Sequence, residues 1–278
     1  MLCFPNAKIN LGLNIIERRP DNFHNIATVF YPIPLSDILE IIHSENNLNK
    51  VELKITGMQI SGDFVNNLCV KAYYLLDKEF DLPPVAIYLH KLVPMGAGFG
   101  GGSSNGAFTL TLLNQLFELG LSDDQLAGYA EQLGSDCAFF IHSKPAYGTG
   151  KGNVLKDIQM DLSGKYIVLV KPNVFISTSE AYADVKPVAL THSLPDLLKK
   201  PITDWKHLVV NEFEVSIFSR HPEIKIIKDD LYKQGAIYAS MTGSGSAVFG
   251  IFDDVVKLKT WFPGMFYWGG WLKMKGNY

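Results

Sequence analysis

The first forty residues alternate apolar and polar positions in a way that predicts β-strands. The alternation is clear in NAKINLGLNII, residues 6–16, and is typical of a strand with one buried face. TVFYPIPLSDILEII, residues 28–42, and VELKIT, residues 51–56, have the same character, and we expect prolines to break the first of these. VAIYLHKLV, residues 85–93, predicts a further strand, which leads directly into a run of glycines.

Apolar residues at helical spacing predict helices in the middle of the chain. One has Asn66 or Asn67 as its N-cap and continues through LCVKAYYLLDKEF. AFTLTLLNQLFEL predicts a second helix, which Gly120 ends, and LSDDQLAGYAEQLG a third, capped by Ser122. The strand KYIVLVKP at residues 165–172, two helical stretches and the strand SAVFGIF follow. Because strands and helices are grouped rather than strictly alternating, we expect an α+β fold.

Composition fits a soluble globular protein and narrows its partners. The 278 residues are 47% hydrophobic and 19% charged, and the net charge of -3 argues against a nucleic-acid surface. No apolar run approaches the roughly 18 to 20 residues that span a bilayer, and the N-terminus lacks a signal-peptide pattern. The 3 cysteines are odd in number and widely spaced, which is unlike a disulfide framework or a zinc knuckle. We expect a cytoplasmic protein without nucleic-acid or membrane partners, and the oligomeric state stays open.

The segment with the most distinctive chemistry is PMGAGFGGGSSNGA, residues 94–107, which contains six glycines. Between a strand and a helix, such a run lets backbone N–H groups converge on an anion, with the helix dipole adding positive potential. Ser103 and Ser104 sit where the helix begins, where they could cap it, bind a phosphate oxygen or help hold Mg²⁺. A flexible or tightly packed turn is the simpler alternative.

Two common nucleotide-binding patterns do not account for this run. Gly96, Gly98 and Gly101 formally satisfy G-x-G-x-x-G, but that fingerprint should open a βαβ unit with an acidic residue at the end of its second strand. Here the helix leads into another helix, and Glu118 lies within helical sequence. The P-loop pattern is absent too, since no lysine follows the glycines. A triphosphate held by backbone amides remains, with a catalytic lysine supplied from elsewhere in the chain.

Three motifs in order resemble those of the GHMP kinases, named after galactokinase, homoserine, mevalonate and phosphomevalonate kinases. They are PNAKINLGL near the N-terminus, the glycine run, and MTGSGSAVFGIF at residues 241–252. RPDNFHNIATVF and LGSDCAFF are most similar to family members whose alcohol substrate carries a cytidine diphosphate group, in the non-mevalonate route to isoprenoid precursors.

The resemblance also implies a domain organisation. We expect an N-terminal ribosomal protein S5 domain 2-like domain over residues 1–155 and a ferredoxin-like domain over residues 156–278, with ATP and substrate in the cleft between them. The glycine-rich stretch AYGTGKGN, residues 146–153, is a candidate boundary or turn.

The resemblance further implies the catalytic and ATP-binding residues, with Mg²⁺ as the second cofactor. Asp136, in LGSD, is the expected base for the substrate hydroxyl, and Lys8 its charged partner. Asn10, on the same strand face as Lys8, is expected to reach the substrate or order a water. A helix cap for Asp136 and an exposed strand position for Lys8 are the alternatives, and no carboxylate cluster indicates metal ligands. The residues expected to bind ATP are Asn67, which is equally well explained as a helix N-cap, together with Pro94, Met95, Gly96, Ala97, Gly98, Phe99, Gly100, Gly101, Gly102, Ser103 and Ser104.

The same resemblance implies a pocket for cytosine. The family's Tyr-His pair corresponds to Phe23 and His24 here, and Asn22 replaces the usual glycine. Stacking on a base survives a Tyr-to-Phe change, and His24 can read the polar edge of a base. Tyr182 is expected to close the other face. A core phenylalanine, a surface histidine and a helix-packing tyrosine are the alternatives, and the rival functions are another GHMP kinase, of homoserine or mevalonate type, or a non-catalytic nucleotide-binding protein.

Overall fold

The computed structural model describes residues 1–45, 49–59, 63–188 and 191–272. Within these ranges the strands are β1 (Leu2–Cys3), β2 (Asn6–Arg18), β3 (His24–Ser36), β4 (Ile38–His43), β5 (Val51–Gly57), β6 (Val85–Lys91), β7 (Ala146–Thr149), β8 (Val154–Asp157), β9 (Tyr166–Lys171), β10 (Tyr238–Met241), β11 (Val248–Phe252) and β12 (Phe266–Trp271). The α-helices are α1 (Leu68–Phe80), α2 (Gly101–Leu116), α3 (Asp123–Leu133), α4 (Cys137–His142), α5 (Thr178–Tyr182), α6 (Leu194–Leu197), α7 (Trp205–Leu208), α8 (Phe213–Arg220) and α9 (Pro222–Lys233).

The chain divides into two compact units built from interleaved segments. The first unit contains Met1–Ala7, Leu35–Met95 and Gly100–Ser143, and the second contains Lys8–Pro34, Gly96–Phe99 and Lys144–Tyr278. The glycine run is therefore shared between them. The boundary predicted after residue 155 falls in β8, within the second unit, and the two-domain division stays a prediction.

The first unit is a four-stranded sheet, in the order β1-β4-β6-β5, packed with four helices. The ladder between β5 and β6 is parallel, and β4 pairs antiparallel with β1 and β6. In β4, Leu39 and Ile41 are buried whereas Glu40 and Ile42 are exposed, so one face of the sheet lies in the core. Helix α2 contacts α1, α3, α4 and β4, which places it at the centre of this unit.

Helix starts in the first unit follow the capping signals of the sequence. The Asn67 side chain accepts a hydrogen bond from the Cys69 N–H and caps α1, as predicted. Ser122 caps α3, where its side chain and that of Gln125 form a capping box. Helix α2 begins at Gly101, six residues before the apolar pattern that starts at Ala107, so the second half of the glycine run is helical.

The predicted second strand region is interrupted at an aspartate rather than at its prolines. Strand β3 continues through Pro32 and Pro34 to Ser36, and β4 begins after Asp37. The pairing of β3 with β7 covers only Thr28–Phe30, so the missing proline N–H groups remove no bond from that ladder. Asp37 is fully buried and its carboxylate accepts hydrogen bonds from the backbone N–H groups of Leu92 and Val93, which no local pattern indicates.

The second unit contains two sheets, in the orders β2-β3-β7-β8 and β10-β11-β9-β12. Helix α9 packs on β10 and β11 and buries Ile224, Ile227 and Leu231 in the core of this unit. The glycine-rich stretch at residues 146–153 forms β7 and the turn that leads to β8, so it is a hairpin. Strand β12, with the sequence FYWGGW, is the last described element, and residues 273–278 lie outside the described part of the chain.

The expected α+β class is confirmed, because mainly antiparallel sheets are combined with grouped helices. Within the described ranges, no helix has the length and apolar character that would let it cross a bilayer.

Candidate active site

The start of α2, in the first unit, has the geometry of an anion-binding turn. The first hydrogen bond within the helix runs from the Ser104 N–H to the Gly100 carbonyl, at 2.8 Å. The N–H groups of Gly101, Gly102 and Ser103 therefore have no acceptor within the helix. The N-cap Gly100 has a φ of 71° and provides no side-chain cap bond. These three N–H groups and the helix dipole together favour a bound anion.

The two serines of this turn have different environments. They are the third and fourth residues of α2, so neither is its cap. Ser103 hydrogen-bonds with the Cys137 thiol, whose pKa is raised to about 12 by burial. Ser104 is fully buried, and among the described residues its hydroxyl is the one buried side-chain polar atom without a hydrogen-bond partner. Leaving such a group unsatisfied costs about 1–3 kcal/mol, so it is a candidate for contact with a phosphate or metal ion.

A cavity of about 620 Å³ lies in the first unit. Asn67, Met95 and Gly102, all predicted to bind ATP, line it together with Lys91 and Asn105, whose role no sequence motif indicated. The other lining residues are Leu53, Ile55, Thr56, Gly57, Met58, Gln59, Asp63, Phe64, Asn66, Leu68 and Leu89. Asn67 thus combines its capping role with a position on the cavity wall. The size and mainly apolar lining of the cavity suit a nucleobase.

Asp136 is at the N-cap position of α4, but its side chain makes no cap hydrogen bond. The cap alternative for this residue is therefore not supported. Asp136 is partly exposed, whereas Cys137, Phe139 and Phe140 after it are buried and anchor the short helix. The carboxylate is thus held on a packed element while keeping access to solvent.

Lys8 and Asn10 meet in the second unit, as predicted from their alternation on β2. Lys8 is only 3% exposed, which excludes the exposed-strand alternative, and its Nζ donates to Asn10 Oδ1 at 2.6 Å. The same ammonium lies 5.2 Å from the centre of the Phe30 ring. Asn10 Nδ2 donates to Thr28 Oγ1 at 2.9 Å, so the amide that meets Lys8 is itself fixed.

The glycines of the run that belong to the second unit pack against the turn after β10. Gly98 has a φ of 79°, and a Cβ placed there would lie 2.0 Å from the Thr242 carbonyl oxygen. Thr242 Oγ1 accepts a hydrogen bond from the Asn10 N–H and donates one to the Gly98 carbonyl. Asn211 Nδ2 donates to the carbonyls of Met241 and Gly243, at 2.8 and 2.9 Å. Thr242 lies within the third motif, but no sequence signal indicated Asn211.

The remaining residues of the run differ in what they can offer a ligand. Met95 is 45% exposed, whereas Pro94 is buried. Ala97 and Phe99 are each 1% exposed, so any ligand contact from them must come from the backbone. Gly96 is exposed, has a φ of 60° and lies against the Phe175 ring.

Phe23 is 56% exposed, so it is not a core phenylalanine. The Lys151 ammonium lies 4.8 Å from the centre of its ring. The Phe23 N–H donates to the Asp21 carboxylate, and the Phe23 carbonyl accepts from the Arg19 N–H. This ordered turn presents an aromatic ring to solvent and is suited to stacking on a base.

His24 and Tyr182 are brought together directly, with ring centres 4.6 Å apart and planes inclined by 17°. Tyr182 also meets Phe213 edge-to-face at 4.8 Å, as the helix-packing alternative expects. Partial burial, and then the charge of Arg18, lower the pKa of His24. The imidazole is therefore neutral at pH 7, and one of its nitrogens can accept a hydrogen bond.

No group of three or more His, Cys, Asp or Glu side chains in the described ranges could hold a metal ion. Mg²⁺ in nucleotide sites commonly keeps several waters and is held by phosphate oxygens and few protein ligands. The Ser103 and Ser104 hydroxyls in the first turn of α2 could supply one such protein ligand to Mg²⁺ that is held mainly by phosphate oxygens.

Comparison with known proteins assigns the family. Residues 67–144 match the GHMP kinases N terminal domain, and residues 189–259 match the GHMP kinases C terminal family. The chain is 52% identical over 258 residues to a 4-diphosphocytidyl-2-C-methyl-D-erythritol kinase of Bacteroides fragilis, covering 93% of this chain and 94% of the relative. It is 53% identical over 253 residues to the kinase of the same name from Bacteroides thetaiotaomicron, covering 91% and 92%.

A solved structure agrees with these matches. The crystal structure of a 4-(cytidine 5'-diphospho)-2C-methyl-D-erythritol kinase superposes with a TM-score of 0.78 at 29% identity, covering 90% of each chain. With three kinase motifs on one fold and relatives that match nearly end to end, this chain belongs to the 4-diphosphocytidyl-2-C-methyl-D-erythritol kinases of the GHMP kinase family.

Proposed function

We propose that this chain uses ATP to phosphorylate the 2-hydroxyl of 4-diphosphocytidyl-2-C-methyl-D-erythritol, a step in the non-mevalonate route to isoprenoid precursors. The observation that carries the proposal is the anion-binding turn at the start of α2 in a chain whose relatives bear that kinase name. The turn supplies backbone donors for a phosphate without a P-loop lysine.

The ATP phosphates bind along the glycine run, at the N–H groups of Gly101, Gly102 and Ser103. The purine occupies the cavity lined by Asn67 and Met95. A hydroxyl of Ser103 or Ser104 would help the phosphate oxygens to hold Mg²⁺, which would neutralise part of the negative charge that develops during transfer. The buried Ser104 hydroxyl, which has no partner among the described residues, supports this assignment.

Asp136 accepts the proton of the 2-hydroxyl as the hydroxyl oxygen attacks the γ-phosphorus, and the bond from that phosphorus to the β,γ-bridging oxygen breaks. Its partial exposure on a packed element supports this role, since a base must reach substrate while staying positioned. Lys8 contributes a positive charge, and the hydrogen bond to Asn10 fixes the position of its ammonium group. Asn10 orients Lys8 and contacts the substrate.

The cytidine diphosphate end of the substrate binds at Phe23, His24 and Tyr182. The exposed Phe23 ring stacks on cytosine, and the neutral His24 imidazole reads the polar edge of the base. Tyr182 supports His24 by stacking on it. The chain divides into two domains near residue 155, and the enzyme acts in the cytoplasm on this small molecule, without a membrane partner. The net charge of -3 argues against a nucleic-acid partner.

The test is the substitution Asp136→Asn, with Asp124→Asn, an exposed carboxylate of α3, as the matched control. We expect Asp136→Asn to lower kcat by at least about a thousandfold while the Kd for ATP stays within about threefold of wild type, because only proton transfer is lost. Asp124→Asn should leave both unchanged. Turnover of Asp136→Asn near the wild-type rate would remove the base from the mechanism.

A further inference from the structure

Three polar side chains are buried together where β6 ends and α2 begins, within the first unit. Lys91 is 1%, Asp37 0% and Asn105 3% exposed. Lys91 Nζ donates to Asp37 Oδ2, and to Asn105 Oδ1 at 2.9 Å, while Asn105 Nδ2 donates to Asp37 Oδ2 at 2.9 Å. We call Asp37, Lys91 and Asn105 the buried triad. Each member contacts the other two.

The buried triad joins the strand that precedes the glycine run to the helix that begins within it. The second carboxylate oxygen of Asp37 accepts from the N–H groups of Leu92 and Val93, at 2.7 and 2.8 Å, directly before the run starts. Asn105 lies in the second turn of α2, directly after the anion-binding turn. The triad therefore fixes the end of the strand to the start of the helix through hydrogen bonds with defined directions.

The triad also lies directly against the anion-binding turn. A Cβ at Gly101 would lie 3.3 Å from Lys91 Nζ and 2.9 Å from a methyl carbon of Val93, so the first residue of α2 rests on this cluster. Lys91 and Asn105 line the cavity together with Gly102. A shift of the triad would thus move the backbone whose N–H groups face the proposed phosphate.

Stability alone is a weak reason for an ion pair in this position. Taking both charges out of water is costly, and replacing a buried pair by apolar residues of similar size is often neutral or stabilising. Charge-assisted hydrogen bonds do impose distances and angles that apolar packing does not. Phosphate binding needs N–H donors held within a fraction of an ångström. The directional hydrogen bonds of the triad can hold the backbone of this turn that accurately.

We propose that Asp37, Lys91 and Asn105 are positioning residues, which hold the first turn of α2 in the conformation that binds the ATP phosphates. The inference rests on the proposed ATP-dependent function. It differs from a purely structural role in one measurable way. Loss of the triad should weaken nucleotide binding even where the fold and the binding of the alcohol substrate are kept.

The test is the double substitution Asp37→Asn and Lys91→Met, which removes both charges, keeps similar volumes and leaves an acceptor for the Leu92 and Val93 N–H groups. The matched control is Lys50→Met, which breaks the Lys50–Asp77 ion pair of the same unit, at 3.0 Å. The readouts are the melting temperature, the Kd for the β,γ-imido analogue of ATP by calorimetry, and the KM for 4-diphosphocytidyl-2-C-methyl-D-erythritol, which we call the cytidylyl alcohol. Analogue binding is independent of turnover, so an inactive wild type that binds the analogue would reject the proposed reaction and leave the triad testable.

We expect the double variant to stay folded, to bind the analogue at least tenfold more weakly, and to keep its KM for the alcohol within about twofold of wild type. Lys50→Met should change neither constant. A folded double variant with wild-type affinity for the analogue overturns the proposal. If the double variant does not fold, Asn105→Leu decides by the same Kd, since it keeps the ion pair and cuts its link to α2. Wild-type affinity in a folded Asn105→Leu variant also overturns it.

Discussion

Gly102→Ala separates the phosphate-cradle interpretation of the glycine run from a purely structural one. Gly102 is the second residue of α2, and the nearest atom to a Cβ built there would be the Met95 methyl carbon at 3.7 Å, an ordinary contact. The protein without ligand therefore has room for alanine. Alanine is favoured over glycine in a helix by roughly 0.5–1 kcal/mol, so the variant should be more stable.

The same substitution should weaken ATP binding, although it stabilises the protein without ligand. Glycines allow phosphate oxygens to approach the main chain, and a methyl group next to the Gly102 N–H would keep them away. We expect the KM for ATP to rise at least tenfold, which corresponds to about 1.4 kcal/mol, while the melting temperature rises by roughly 1–3 °C.

The matched control is Gly128→Ala in α3, where nothing lies within 4 Å of the added Cβ. This variant should gain similar stability without any change in kinetics, because α3 has no proposed ligand contact. Differential scanning fluorimetry and initial rates at varied ATP provide both readouts. If Gly102→Ala gains stability and keeps the wild-type KM for ATP, as Gly128→Ala should, the cradle does not include this residue.

Three further predictions concern single groups. Ser104→Ala removes a buried hydroxyl that has no partner among the described residues, so the free energy of unfolding should stay level or rise by up to about 1 kcal/mol. The KM for ATP should increase, and a loss of stability in denaturant titrations would contradict this. The pKa of His24 is lowered, so the unfolded chain takes up its proton near pH 6.5 and the folded chain only at lower pH. The stability from this group should therefore hold above pH 6.5 and fall below it, whereas kcat/KM for the cytidylyl substrate should fall only at the lower pH where folded His24 is protonated. A His24→Asn variant with the same acid limb in kcat/KM would reject the assignment. Asn211→Ala removes two buried hydrogen bonds to the turn after β10 and should lower the free energy of unfolding by about 2–4 kcal/mol. Its control, Asn173→Ala, loses one exposed hydrogen bond to Gly264 and should cost less than about 0.5 kcal/mol, so equal urea midpoints for the two variants would contradict this account.

Local signals predicted the parts of the fold that depend on neighbouring residues. The caps at Asn67 and Ser122 were readable because the hydrogen-bond partner is two or three residues away. Helix α2 was predicted too short at its start, since helix propensity penalises glycine and the close packing of Gly101 on Val93 overrides that preference. The break at Asp37 was assigned to prolines because its cause, Lys91 and the following backbone, lies 54 to 56 residues away.

In the candidate site, too, contacts between near neighbours were predictable from the sequence and contacts between distant residues were not. Alternation on β2 placed Lys8 and Asn10 on one face, and their hydrogen bond follows from it. The direct stack of His24 on Tyr182 joins residues 158 positions apart, and the resemblance to known kinases indicated both residues without indicating that contact. Asn211 and the buried triad carried no motif, because polar side chains that organise a turn from a distance leave no pattern in their own neighbourhood.

The central claim, phosphoryl transfer from ATP to the cytidylyl alcohol, is tested most directly by substrate choice. The purified chain would be assayed for ADP release in a coupled assay with 4-diphosphocytidyl-2-C-methyl-D-erythritol, homoserine and mevalonate in parallel, and each product identified by mass spectrometry. The account predicts ADP and a singly phosphorylated product with the cytidylyl alcohol, and no product with the other two. Turnover of homoserine or mevalonate without turnover of the cytidylyl alcohol would contradict it.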